Sequence, residues 1–111
     1  MNVIEEIKKT VKMEIRPLSK GNEYLEAVVD TEQLGSLHSV LNKYLGAAAK
    51  EAGKEARLSK EIQQLVDAMG GLRAEQSFYY KKEGTKIVFA ALWPWQSNPN
   101  KITLKVGVTA L

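Results

Sequence analysis

The chain has 111 residues, 44% apolar and 26% charged, a balance that suits one globular domain (1–111) and excludes a disordered chain. It has no cysteine, which excludes disulfides and thiolate metal sites and makes a cytoplasmic location the expectation. No apolar run approaches the roughly 20 residues that cross a bilayer, the opening residues do not read as an export leader, and the excess of the +3 formal charge lies within residues 73–111.

Asn2 and Glu5 are spaced as a capping box, and Ile4, Ile7 and Val11 share a face, which predicts a short first helix. From Thr10 the apolar period drops to two. Val11, Met13 and Ile15 alternate with Lys12, Glu14 and Arg16, and Leu25, Ala27 and Val29 repeat the pattern, predicting two half-buried strands. Setting Arg16 opposite Glu26 and Lys12 opposite Asp30 joins unlike charges and leaves Lys20-Gly21-Asn22 as a three-residue loop; the neighbouring register would set Glu14 against Glu26.

A helix is predicted from Asp30 or Thr31 to Gly53, with the apolar stripe Leu34, Leu37, Leu41, Leu45, Ala48 and Ala52. Ser59 caps another helix bearing Ile62, Leu65, Val66 and Met69, closed by Gly70-Gly71-Leu72 in the style of a Schellman motif. Two amphipathic helices in succession predict an antiparallel pair on one face of a sheet. Glu83-Gly84 reads as a two-residue hairpin turn, which opposes Phe78 to Phe89 and Tyr80 to Ile87. Matching apolar faces then sets Ala91 against Ile102 and Phe89 against Leu104, so that all of these face the helices.

The resulting expectation is an α+β, two-layer sandwich: a mainly antiparallel sheet of about five strands with two helices on one face, in the order α, β, β, α, α, β, β, β. A winged-helix arrangement fits less well, because Lys12 to Asp30 reads as a hairpin and the connector after Gly53 is too long for a tight helix-turn-helix.

Catalytic signatures are missing. Gly46 to Lys54 resembles a phosphate loop only superficially: six residues separate its glycines, and Glu55 stands where Ser or Thr would bind magnesium. His38 is the only histidine and reads as a boundary residue on a helix flank, and Asp30 and Asp67 read as a cap and a solvated helix position. No cofactor, metal ligand or catalytic residue is assigned, and the chain reads as non-enzymatic rather than as an enzyme.

The expected outer face of the sheet carries the rows Tyr79-Val88-Lys105, Ser77-Ala90-Thr103 and Glu75-Leu92-Lys101, ending at Trp93-Pro94-Trp95. Its candidate binding residues are therefore Tyr79, Val88, Leu92, Trp93, Trp95, Lys101 and Lys105. The leading functional expectation is a binding or assembly domain that uses this face and the Trp-Pro-Trp loop against a protein partner or a second copy. Single-stranded nucleic acid, held by stacking and lysines, ranks second. A small molecule in a cavity between helices and sheet, near Tyr80, Gln76 and His38, ranks third.

Overall fold

In the computed structural model, which describes residues 2–21, 23–55 and 57–110, the elements follow the predicted order. They are α1 (Val3–Thr10), β1 (Glu14–Ile15), β2 (Tyr24–Asp30), α2 (Leu34–Leu45), entered through a single 3-10 turn at Thr31–Gln33, α3 (Lys60–Ala68), β3 (Ser77–Glu83), β4 (Lys86–Pro94) and β5 (Lys101–Ala110). The strands form one antiparallel sheet in the order β1-β2-β5-β4-β3, giving the expected α+β class. No helix among the described residues is long and apolar enough to cross a membrane.

Local signals explain most boundaries. The Asn2 side chain accepts from the Glu5 amide at 2.9 Å, starting α1, and Ser59 does the same for the Ile62 amide of α3. Helix α3 ends in the expected Schellman pair: Gly71 N–H donates to Val66 O and Gly70 N–H to Asp67 O, with Gly70 at φ +101°. The β1–β2 register is also the expected one, with Glu14 opposite Val28 and the Arg16 amide donating to Glu26 O. Strand β1 is shorter than predicted, however, because Lys12 leaves the ladder to donate its amide to the Gln33 side chain. Beyond Arg16 the chain narrows to a Lys20–Tyr24 bridge; Asn22 of the predicted loop lies outside the described residues.

Helix α2 ends at Gly46 (φ +82°), seven residues before the expected Gly53. The chain then runs extended along the outer edge of β3, where Phe78 and Lys50 exchange backbone hydrogen bonds of 3.0 and 3.1 Å. Ala48 and Ala52 therefore belong to this segment and not to a helical stripe. A left-handed glycine stops a helix more firmly than the good propensity of Ala47-Ala48-Ala49 prolongs it.

Two registers differ from the sequence expectation, with larger consequences. The β3–β4 turn is Gly84-Thr85, with Gly84 at φ +62°, so Phe78 faces Ala91 and Tyr80 faces Phe89. This shift of two leaves each side chain on its expected face. The β4–β5 register shifts by an odd number: Ala90 faces Val106 and Leu92 faces Leu104, while Ala91 faces Lys105. An odd slip turns a strand over. The apolar face of β5 thus joins Val88, Ala90 and Leu92 rather than Ile87, Phe89 and Ala91.

The helices consequently lie on opposite faces of the sheet, and the two-layer expectation becomes three layers. On the first face, α1 and α2 bury Ile4, Ile7, Leu37 and Leu41 against Leu25, Ala27, Val29, Tyr79, Val88, Ala90, Leu92, Ile102, Leu104 and Val106. On the second, α3 places Ile62 and Val66 on Phe78, Ile87, Phe89 and Ala91. The cause lies in β4, whose run Ile87-Val88-Phe89-Ala90-Ala91-Leu92 is apolar at every position, as a strand covered on both sides must be.

Candidate functional site

Helix α3 covers only β3 and β4, so the second face has an uncovered half formed by β5, β2 and β1. Alternation sends Thr103 and Lys105 of β5, and Tyr24, Glu26 and Val28 of β2, to this half. Trp93 opposes Thr103 and Trp95 lies two residues further on, so both tryptophans project to the same face. Gly107 makes room for the aromatic row: a Cβ there would stand 3.0 Å from the Phe89 ring and 3.1 Å from that of Tyr24.

Most polar side chains on this half are paired. Lys105 Nζ lies 4.2 Å from the centroid of the Trp93 ring and 3.5 Å from Glu26 Oε1. The Tyr24 hydroxyl donates to the same Glu26 oxygen at 3.2 Å. Burial, then the adjacent Glu26 charge and its hydrogen bond, push the Tyr24 phenol up to about 12. Trp95 Nε1 donates to Thr103 Oγ1 at 2.8 Å, whereas Trp93 Nε1 is buried with no hydrogen-bond partner among the described residues. Lys101 is bonded to Asp30, which raises the lysine pKa and uses the carboxylate that the sequence suggests as a helix cap.

The sequence-derived candidates are therefore divided between two faces. Tyr79, Val88 and Leu92, only 4, 8 and 3% exposed, lie in the core beneath α1 and α2 and offer no outer surface. Trp93, Trp95, Lys101 and Lys105 lie together on the open half. Sequence reasoning misses Tyr24 and Glu26, although a signal exists: aligning β2 against β5 sets Glu26 opposite Lys105 and Asp30 opposite Lys101 at once.

A second group surrounds the histidine. His38 Nδ1 and the Tyr79 hydroxyl are hydrogen-bonded at 2.6 Å, beside a cleft of about 440 Å³ lined also by Asn42, Glu51 and Ser77. Burial, then the Glu51 charge, raise the Tyr79 pKa. Tyr80 packs on the other face beneath α3, and Gln76 accepts from the Arg73 amide, so neither joins His38. A larger opening, about 570 Å³, lies between α3 and Lys50, Gly53, Lys54, Glu55 and Leu58. Both of its lysines are engaged: Lys50 is 8% exposed, and its ammonium donates to the carbonyls of Gln76 at 2.8 Å, Ala74 at 3.0 Å and Glu51 at 3.3 Å, while Lys54 pairs with the Glu51 carboxylate at 2.7 Å. Among the described residues, no group of three or more His, Cys, Asp or Glu is placed to hold a metal ion.

The fold and this geometry define a three-layer antiparallel α+β domain. No known protein family matches the chain, and no curated protein or solved structure is similar to it.

Proposed function

We propose that this chain is a non-enzymatic binding domain that docks a protein partner on the half of the sheet left open by α3. The observation that supports this reading most directly is the cluster of Trp93, Trp95 and Tyr24 held in place by Lys105, Thr103 and Glu26. Large aromatic side chains that are already fixed lose little entropy on contact, which is why they dominate binding energy at protein interfaces. Nucleic acid ranks lower, because phosphates would have to displace Glu26 and Asp30 from the two lysines of this face.

The test places a photo-crosslinking phenylalanine at Tyr24 or, as a control, at exposed Ser39 of α2, in cells that make the chain. The expected result is a discrete adduct from position 24 that disappears on Trp95→Ala. No adduct, or the same adducts from both positions, would sink the reading. Titration with a short oligothymidylate is expected to give no saturable binding; binding that weakens steeply with salt would favour nucleic acid instead.

One distance favours a second reading. The 2.6 Å His38–Tyr79 hydrogen bond beside a polar cleft suits a small molecule rich in hydrogen-bonding groups. Screening small polar fragments against the labelled protein should shift the Ser77 and Tyr79 amides saturably, and Tyr79→Phe should weaken those shifts. A fragment set that leaves both amides unmoved rules this reading out.

A further inference from the structure

The open end of the sheet carries a self-complementary sequence. We propose that β1 is the seam of a homodimer, in which two copies pair antiparallel, edge to edge, about a twofold axis at Ile15.

Hydrogen-bond parity singles out this residue. The Arg16 amide donates to Glu26 O at 2.8 Å, so positions 14 and 16 turn inward to β2 and Ile15, opposite Ala27, turns its own N–H and C=O outward. A twofold axis at that point makes Ile15 and its copy a hydrogen-bonded pair, the geometry such outward groups require. The side chains agree with the backbone. Ile15 is 50% exposed, an unusual exposure for such a residue at a sheet edge, and Leu18 of the turn that follows is 67% exposed. The same axis sets Glu14 against Arg16 of the second copy, and Arg16 against Glu14, giving two unlike-charge pairs from three consecutive residues.

A short strand followed by proline is also a common way to end a sheet. Simple termination would not require an exposed isoleucine between complementary charges. Pro17 limits the seam rather than preventing it, since it lacks an N–H but keeps a carbonyl that can accept from Met13 of the second copy. The opposite edge of the sheet is less available: Phe78 is already bonded to Lys50, and Lys81 and Lys82 follow it.

The pairing goes beyond the partner-docking reading and stands without it, but it bears on the same face. It would join β5, β2 and β1 of both copies into one six-stranded floor, with an α3 helix at either side and both aromatic clusters on it.

Sedimentation equilibrium from about 10 μM to about 1 mM tests the seam, a range chosen because so short an interface gives a weak dimer. The mass is expected to rise from 12.4 kDa toward twice that value. Glu14→Arg or Arg16→Glu alone should weaken association about tenfold by facing like charges across the seam, and the double variant should restore it. Far-UV melting of each variant separates lost pairing from lost folding. A mass fixed at 12.4 kDa, or association indifferent to either single reversal, overturns the proposal. Mass reads the edge and cross-linking at Tyr24 reads the aromatic face, so each can fail alone.

Discussion

The two faces of the sheet are buried in different ways. Beneath α1 and α2, apolar side chains run from Leu25 on β2 through Val106 and Ala90 to Tyr79 on β3, and the layer above them is continuous. On the other face, the apolar cluster beneath α3 lies on β3 and β4; beyond Trp93 the surface changes to Thr103, Lys105, Glu26 and Tyr24, with Val28 the apolar residue among them. Strand composition thus decides how far a layer extends. The open half is not a core that lacks its lid, because Tyr24, Glu26, Lys105, Thr103 and Trp95 already pair with one another.

The sharpest way to probe this contrast is to remove one buried side chain from each layer. Leu104→Ala and Ile62→Ala should each cost about 2–5 kcal/mol in urea unfolding. Their hydrogen-exchange patterns should differ: Leu104→Ala lowers protection throughout the sheet, whereas Ile62→Ala lowers it first in α3. Uniform loss in both variants would show that the layers unfold as one unit. Lys50→Met should follow, at about 1–3 kcal/mol, since it removes the ammonium donor from the Gln76 carbonyl and leaves the Ala74 carbonyl with the Gly53 N–H alone. A neutral result would mean that water replaces the ammonium there. Ser59→Ala removes only the cap of α3 and should cost about 1 kcal/mol, with its helicity loss confined to that helix.

The smallest effect concerns the open half. Burial, then the Glu26 charge, push the Tyr24 phenol up to about 12, against an ordinary value of 10, so the folded state holds the proton more tightly between those values. Its contribution to stability is whole below about pH 10 and declines as pH rises toward 12. Phenolate absorbance should therefore show a late tyrosine phase to which Tyr79, also raised, contributes, and Tyr24→Phe identifies the part that belongs to Tyr24. Glu26→Gln should move that phase earlier by removing the neighbouring charge; an unchanged midpoint would assign the whole shift to burial.

Much of the fold is legible in the residues. Caps at Asn2 and Ser59 and the glycine pair after α3 are local signals, and each acts as its chemistry requires; the β1–β2 register is also the expected one, although the carboxylates used to set it, Glu26 and Asp30, pair with Lys105 and Lys101 of β5. The β4–β5 register is not local. Treating β4 as a strand with one buried face forces Ile102, Leu104 and Val106 onto the side of Phe89, although six consecutive apolar residues call for cover on both sides. That single parity error places Tyr79, Val88 and Leu92 in the expected site, when they belong to the core. Trp93, Trp95, Lys101 and Lys105 are legible as candidate binding residues; the carboxylate partners of the lysines emerge only once β2 is set beside β5.

The extended segment after Gly46 has a consequence for assembly. Because Lys50 occupies Phe78 and the charges of Lys81 and Lys82 guard the rest of the β3 edge, β1 is the readier of the two ends, and in the language of polymer chemistry a unit with one ready end is monofunctional. Monofunctional units couple once and terminate. If β1 edges join, growth stops at a pair, whereas a chain with both edges open could add copies without limit and form a fibre.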